Sequence, residues 1–202
     1  TGNLILGNGT NTGVVIAANA NPTTLTVTGG LTISVNTALS ANASNPTSVG
    51  GTWILNGTFT HNSGTVTLNG TTQSIGGSSA TTFYELDVSA TSVSVSMANL
   101  TTAGYLSINS GTFTAPSSNL SVAGNWTNNG TFTHNSGTVT LNGASQQTLS
   151  GTMTGSSAFN VLTIANTFLS VDPDVFFSVR LADPVSANTS NITTPSAVVH
   201  FP

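Results

Sequence analysis

Short runs in which apolar and small polar residues alternate follow one another along most of the chain. Val93-Ser94-Val95 and Leu120-Ser121-Val122 show the pattern in its simplest form. An alternation with a period of two is typical of a strand with one buried face, and β-branched Thr and Val favour that conformation. Gly, Asn and Ser separate the runs, as in turns. The pattern therefore predicts an all-β protein.

The apolar positions recur at steps of six or seven residues. The clearest series is Leu86, Val93, Leu100, Leu106, Phe113, Leu120, Trp126, Phe132 and Val139. Three steps make about 19–20 residues, the length expected for one coil of a three-sided β-solenoid built from parallel strands. We therefore predict a right-handed parallel β-helix with apolar residues inside, and eight or nine coils would form a rod on the order of 40 Å long.

An antiparallel β-sandwich is the alternative fold. The segment FTHNSGTVTL reads as two strands joined by a four-residue turn, and Asn-Gly pairs favour hairpins. Sandwiches usually carry turn signals every 8 to 12 residues, roughly. The tighter and more regular spacing of this chain favours the solenoid.

The chain contains an internal repeat. The fifteen residues from Asn56 to Gly70 recur without change from Asn129 to Gly143, 73 positions later. Flanking segments align with small insertions, including Gln73 with Gln147 and Phe83 with Phe159. The unit of 73–76 residues is predicted to span close to four coils, and residues 1–171 are predicted to form a solenoid of two degenerate units.

Residues 172–202 form a non-repeating C-terminal segment with two alternating apolar stretches. Since the end of a solenoid exposes unpaired strands, this segment is predicted to cap the last coil or to dock on a neighbouring copy. The candidate self-assembly residues are Val175, Phe176, Phe177, Val179, Leu181, Val198, Val199 and Phe201.

Charge is almost absent from this sequence. Only six of 202 residues are charged, and the net charge is −4. A single Arg cannot provide the basic surface that nucleic-acid binding needs, and the lack of Cys excludes disulfides and thiolate metal sites. No apolar run is long enough to span a membrane. Low charge favours association between copies.

Few residues offer catalytic or metal-binding chemistry. Glu85 and Asp87 alternate on one predicted strand and should face the same side. They are interpreted as surface positions rather than a catalytic pair, and Asp172 and Asp174 as turn residues rather than a calcium site. The repeated His61 and His134 precede Asn-Ser-Gly and are assigned to turns; about 19 Å of stacked coils would separate them. No cofactor is expected.

Two repeated features could bind a ligand on the surface. Trp53 and Trp126 could stack on sugar rings, although they fall where buried anchors are due. Thr-x-Thr pairs could form a flat face that binds ice, although outward Thr is also what a strand face prefers. These pairs are Thr58/Thr60, Thr65/Thr67, Thr131/Thr133 and Thr138/Thr140.

The segment from Gly124 (GNWTNNGTF), through GTVTLNG, QQTLSG and FNVLTI, resembles repeat regions of very large bacterial and archaeal surface proteins. Those regions are described as adhesin-like or filamentous-haemagglutinin-like. The resemblance covers roughly residues 25–171 and implies an exported, structural or adhesive role without any site residues. A chain that begins at Thr1 without a leader is expected to be a processed or excised piece.

The sequence thus predicts a non-enzymatic protein of the cell surface or extracellular space. Its expected partners are other copies of itself in a filament, sheath or surface layer. The alternative is an adhesin segment that binds glycans or surfaces, and ice binding through Thr-x-Thr faces is a third possibility.

Overall fold

A computed structural model of the chain describes residues 2–10, 14–17, 24–167 and 192–193. Twenty-three short strands in this part wind into a β-solenoid of about seven turns. All their pairings are parallel, which confirms the solenoid prediction and rules out the antiparallel sandwich. Successive strands fall on three faces in rotation, because each run of three to five residues is followed by a corner.

The strands are grouped below by face, in chain order. The first face contains β1 (Leu4–Leu6), β4 (Leu31–Ile33), β7 (Trp53–Leu55), β10 (Thr72–Gly76), β13 (Ser92–Val95), β16 (Thr112–Thr114) and β19 (Thr131–Thr133). The second face contains β2 (Val14–Ala17), β5 (Thr37–Ser40), β8 (Thr58–Thr60), β11 (Thr82–Phe83), β14 (Asn99–Thr102), β17 (Asn119–Val122), β20 (Thr138–Leu141), β22 (Val161–Ile164) and β23 (Ile192–Thr193). The third face contains β3 (Leu25–Val27), β6 (Thr47–Val49), β9 (Thr65–Leu68), β12 (Glu85–Val88), β15 (Leu106–Ile108), β18 (Trp126–Asn128) and β21 (Leu149–Gly151). A single 3-10 turn, Gly155–Ser157, lies before β22.

Coil length is regular in the middle of the chain and longer near the described ends. Leu86 pairs with Leu106, and Leu106 pairs with Trp126, so these coils have the expected 20 residues. Leu4 pairs with Leu31 and Val139 with Leu162, which makes those coils 27 and 23 residues long. The expectation of eight or nine coils was therefore too high, since insertions at the corners lengthen several turns.

The interior of the solenoid is a continuous apolar stack. All nine anchors of the six-to-seven-residue series are at most 2% exposed. Their neighbours along each strand point outward, as the alternating burial of β12 and β20 shows. Stacking like on like removes apolar area from water in every coil, which is the main stabilising contribution in such a fold.

The two sequence repeats are rotated relative to each other. The Trp53 strand, β7, lies on the first face, but its counterpart β18 lies on the third face. Likewise, β8 lies on the second face and its counterpart β19 on the first. The repeat therefore spans eleven strands, one fewer than four coils contain, and the four-coil estimate is wrong by one face. Counting residues could not detect this, because longer corners conceal a missing strand.

An aromatic cluster recurs in both repeats where a ladder stops. The Trp53 ring contacts Phe59 at 4.8 Å and Phe83 at 5.0 Å between centroids, and Trp126 contacts Phe132 at 4.9 Å and Phe159 at 5.2 Å. The first ladder of the second face ends at β8, and the first-face ladder ends at β19. In both places edge-on ring packing fills the space beside the last strand.

Two buried glutamines tie neighbouring coils together at the corners. Gln73 Nε2 donates to the carbonyls of Val49 and Gly51, at 2.9 and 2.6 Å, and its Oε1 accepts from the Gly70 amide at 2.8 Å. Gln147 repeats the arrangement with Val122, Gly124 and Gly143 and also accepts from Asn166. The alignment of the two glutamines was visible in the sequence, but their partners lie too far along the chain to be predicted from it.

Most of the predicted C-terminal segment, residues 172–202, lies outside the described residues. Its described piece, β23, adds a parallel strand beside β22, with Leu162 opposite Ile192. The eight candidate self-assembly residues all lie outside the described part: Val175, Phe176, Phe177, Val179, Leu181, Val198, Val199 and Phe201. Asp172 and Asp174 lie outside it as well.

Candidate functional site

The described part of the chain contains two charged side chains, Glu85 and Asp87, both on β12. They are partly exposed and alternate with the buried Leu86 and Val88, so they face the same side, as predicted. The Thr65 hydroxyl of the preceding coil donates to Glu85 Oε2 at 2.6 Å. The two carboxylates and the tyrosines beside them, Tyr84 and Tyr105, are here called the acidic patch.

Tyr105 belongs to the next coil and completes the contacts of Asp87. Its hydroxyl donates to Asp87 Oδ2 at 3.3 Å. Partial burial raises the pKa of Asp87 above its ordinary 3.8, against the hydrogen bonds from Tyr105 and Asn109. Partial burial and the adjacent Asp87 raise the pKa of Tyr105 to about 12. Tyr105 therefore remains a neutral hydrogen-bond donor at physiological pH. Sequence analysis did not single it out, because its partner lies 18 residues away.

Tyr84 and His61 form the corner that leads into this part of the third face. Their rings stack with centroids 5.6 Å apart, and Tyr84 directly precedes Glu85. His61 Nδ1 accepts a hydrogen bond from the Ser63 amide at 3.1 Å. This bond assigns His61 to holding a turn, so its Nδ1 is already engaged and is not a free base for the carboxylates.

His134 has the same role in the second repeat, where its Nδ1 accepts from the Ser136 amide at 2.9 Å. Both central residues of this turn, Asn135 and Ser136, have positive φ. The Gly137 amide then closes the turn onto the His134 carbonyl at 2.9 Å. The prediction that the histidines serve turns is confirmed, and the repeat rotation puts them at different corners of the solenoid.

The two tryptophans do not form a sugar-binding row. Trp53 is 0% exposed and Trp126 is 1% exposed, and each packs inside an aromatic cluster. The interpretation as buried anchors is confirmed, and the stacking of sugars on these rings is excluded, since no face of either ring is free.

The Thr-x-Thr pairs point outward, but they do not form one array. The repeated segments place Thr58/Thr60 on the second face and Thr131/Thr133 on the first, and Thr65/Thr67 on the third and Thr138/Thr140 on the second. A single ice-binding face built from these four pairs is therefore wrong. The rotation between repeats separates side chains that are identical in sequence.

Among the described residues, no group of three or more His, Asp or Glu side chains is placed to hold a metal ion. Nor does this part of the chain contain a helix long and apolar enough to cross a membrane.

Comparison with known proteins leaves the fold as the main guide. No protein-family model, curated protein or solved structure matches this chain. The class of the protein is therefore defined by its architecture, a repetitive three-sided β-solenoid with charge-poor faces. The resemblance to adhesin-like repeat regions remains a prediction from the sequence.

Proposed function

We propose that this chain is a non-enzymatic structural protein of the cell surface or extracellular space that assembles with copies of itself into a filament, sheath or surface layer. The observation that carries the proposal is the state of the ladder ends. Among the described residues, β1 and β19 each have one neighbour in the first-face sheet, as do β3 and β21 in the third-face sheet. Such edges accept a strand from another chain through main-chain hydrogen bonds.

The weak charge of the faces supports the same proposal. Glu85 and Asp87 both lie on one central strand, away from the ladder ends. Copies that approach end to end therefore meet little electrostatic repulsion. The outward Ser, Thr and Asn residues keep the sides hydrated, which favours growth along the solenoid axis over random association.

A matched pair of lysine substitutions tests end-to-end assembly. Ser150 lies on the edge strand β21 and Ser107 on the central strand β15, and both point outward on the third face. We expect the full chain to form polymers in electron micrographs and to increase in mass with concentration in light scattering. Ser150→Lys should reduce that mass because edge charges oppose strand pairing, and Ser107→Lys should not. A wild-type chain that stays monomeric at all concentrations would refute assembly.

The predicted C-terminal docking is tested separately with Phe177→Asp and Val199→Asp in the full chain. Loss of polymers in these variants would support docking through the C-terminal segment. Unchanged polymers would remove that role while leaving end-to-end assembly in place.

A glycan-binding adhesin segment is the second candidate, and the acidic patch favours it. Partly exposed Tyr84 and Tyr105 beside two carboxylates combine ring surfaces with acceptors for sugar hydroxyls. Glycan-array binding should be lost in Tyr84→Ala and retained in Trp53→Phe, whose ring is buried. Absence of glycan binding by the wild-type chain would exclude this candidate.

A further inference from the structure

Four consecutive strands of the first face carry an in-register array of hydroxyl groups. The strands are β10, β13, β16 and β19, and each presents two outward Ser or Thr residues. The pairings align them into two columns. One column is Thr72, Ser92, Thr112 and Thr131, and the other is Ser74, Ser94, Thr114 and Thr133. These eight residues are called the hydroxyl array.

The hydroxyl array differs from the other faces in its hydrogen bonding. Within the described residues, none of its eight hydroxyls has a hydrogen-bond partner, and all eight side chains are at least partly exposed. On the third face, by contrast, Thr65 donates to Glu85 and Thr127 bonds Ser150. On the second face, Thr140 donates to Asn119. The array alone therefore presents eight donors and acceptors that are not already used within their own face.

A rigid backing supports the array. The inward residues between its two columns are Gln73, Val93, Phe113 and Phe132, and each is at most 2% exposed. Phe113 and Phe132 stack with their planes 20° apart. Because β-branched Thr has few side-chain rotamers, the four threonines of β16 and β19 hold their hydroxyls in narrow ranges. The geometry is fixed before any ligand arrives.

The spacing, charge and size of the array define the ligand. Neighbouring rows are about 4.8 Å apart and neighbouring columns about 7 Å apart, from strand geometry. The described strands of the first face have no charged side chain and no outward aromatic ring. A neutral lattice of alternating hydrogen-bond donors and acceptors complements such a surface, because each hydroxyl both donates and accepts. Flat planes of hexagonal ice repeat their oxygen atoms at distances of this order.

A protein partner fits the array less well. The eight positions span about 14 by 7 Å, which is far less than the roughly 800 Å² per partner of a stable interface. Burying unpaired hydroxyls against a protein costs free energy unless every one is paired. Ordered water imposes no such cost, because it replaces the hydration of the hydroxyls with hydrogen bonds of the same kind.

We infer that the hydroxyl array on β10, β13, β16 and β19 is an adsorption site for ice. This inference does not depend on self-assembly, since the array lies on the side of the solenoid and the proposed polymer contacts lie at its ends. Nor does it revive the four-strand Thr-x-Thr face, because only Thr131/Thr133 of those pairs belongs to the array.

The test uses the full chain and a matched pair of tyrosine substitutions. The sequence contains no Lys, so an amine-reactive dye labels the terminal amine alone. Thr114→Tyr places a bulky side chain in the middle of the array, and Thr101→Tyr does the same at an outward position of β14 on the second face. Tyrosine is a good strand residue, so both variants should keep the far-ultraviolet circular dichroism of the wild type.

The wild type and Thr101→Tyr should coat a growing ice crystal, depress its freezing point below its melting point and slow recrystallisation. Thr114→Tyr should fall to the level of an inert control protein. Failure of the wild type to adsorb, or equal loss in both variants, would overturn the inference. Adsorption to microcrystalline cellulose without adsorption to ice would also overturn it, because the array would then recognise a polysaccharide.

Discussion

The corner glutamines offer the sharpest test of what holds the coils together. Gln147 is 6% exposed and makes four hydrogen bonds, at 2.9, 2.9, 2.6 and 2.8 Å, to Val122, Gly124, Gly143 and Asn166. The adjacent Gln146 is exposed. Gln147→Leu and Gln146→Leu therefore make the same chemical change at neighbouring positions, and only the first removes contacts between coils.

The magnitude follows from the bonds that are lost. At about 1 kcal/mol of net free energy for each hydrogen bond, Gln147→Leu loses roughly 4 kcal/mol of stability. Burial of the leucine side chain returns about 1 kcal/mol, which leaves a net cost of about 3 kcal/mol. Gln146→Leu should stay within about 0.5 kcal/mol of the wild type.

Urea unfolding followed by circular dichroism measures the difference. With an m-value of about 2 kcal/mol/M, the midpoint of Gln147→Leu should fall by about 1.5 M. Repeat proteins can unfold in parts, so amide hydrogen exchange supplies a local measure. The Gly143 amide has Gln147 Oε1 as its hydrogen-bond acceptor, so its protection should decrease in Gln147→Leu alone. Equal midpoints for the two variants, or unchanged protection of Gly143, would refute this account of the corner.

Three further substitutions test the core, the turns and the acidic patch by urea unfolding. Trp126→Ala removes a buried ring that packs on Phe132 and should cost about 3–5 kcal/mol; a cost below about 1 kcal/mol would contradict the packing. Ser136→Gly relieves a positive φ of 60° and should stabilise by about 0.5–1 kcal/mol, and a destabilised variant would contradict this. The pKa of Asp87 is raised in the folded state, so its ionisation opposes folding above that pKa, and this cost disappears as pH falls toward 3.8. Asp87→Asn should therefore lose that part of the rise in stability on acidification; an unchanged pH profile would contradict it.

The alternation of residues was enough to predict the solenoid, because inward and outward positions are decided locally. The steps between Leu86 and Val139 identified buried anchors on every face, and the pairing of Leu86 with Leu106 and Trp126 reproduces the 20-residue coil. Where the chain inserts extra residues, as between Gln73 and Phe83, the number of strands depends on corner contacts with other coils. The spacing of apolar residues does not contain that information.

The acidic patch was predicted in part for the same reason. The common side of Glu85 and Asp87 follows from strand periodicity alone. The contribution of Tyr105 depends on which residue of the next coil stands beside them, and this requires the register. The array of hydroxyls also escaped the sequence, because repeated Thr-x-Thr letters suggested neighbours that the fold places on different faces.

Eleven strands to a repeat has a geometric consequence for any chain that continues this pattern. A loop that the sequence encodes once in each unit turns by a third of a revolution from one unit to the next, and it returns to its starting direction after three units. Twelve strands would have lined up every copy along one side, like marks on a ruler. With eleven, duplication of a single segment distributes its surface around the whole circumference, so a rod of tandem units would offer the same contacts to neighbours in every direction.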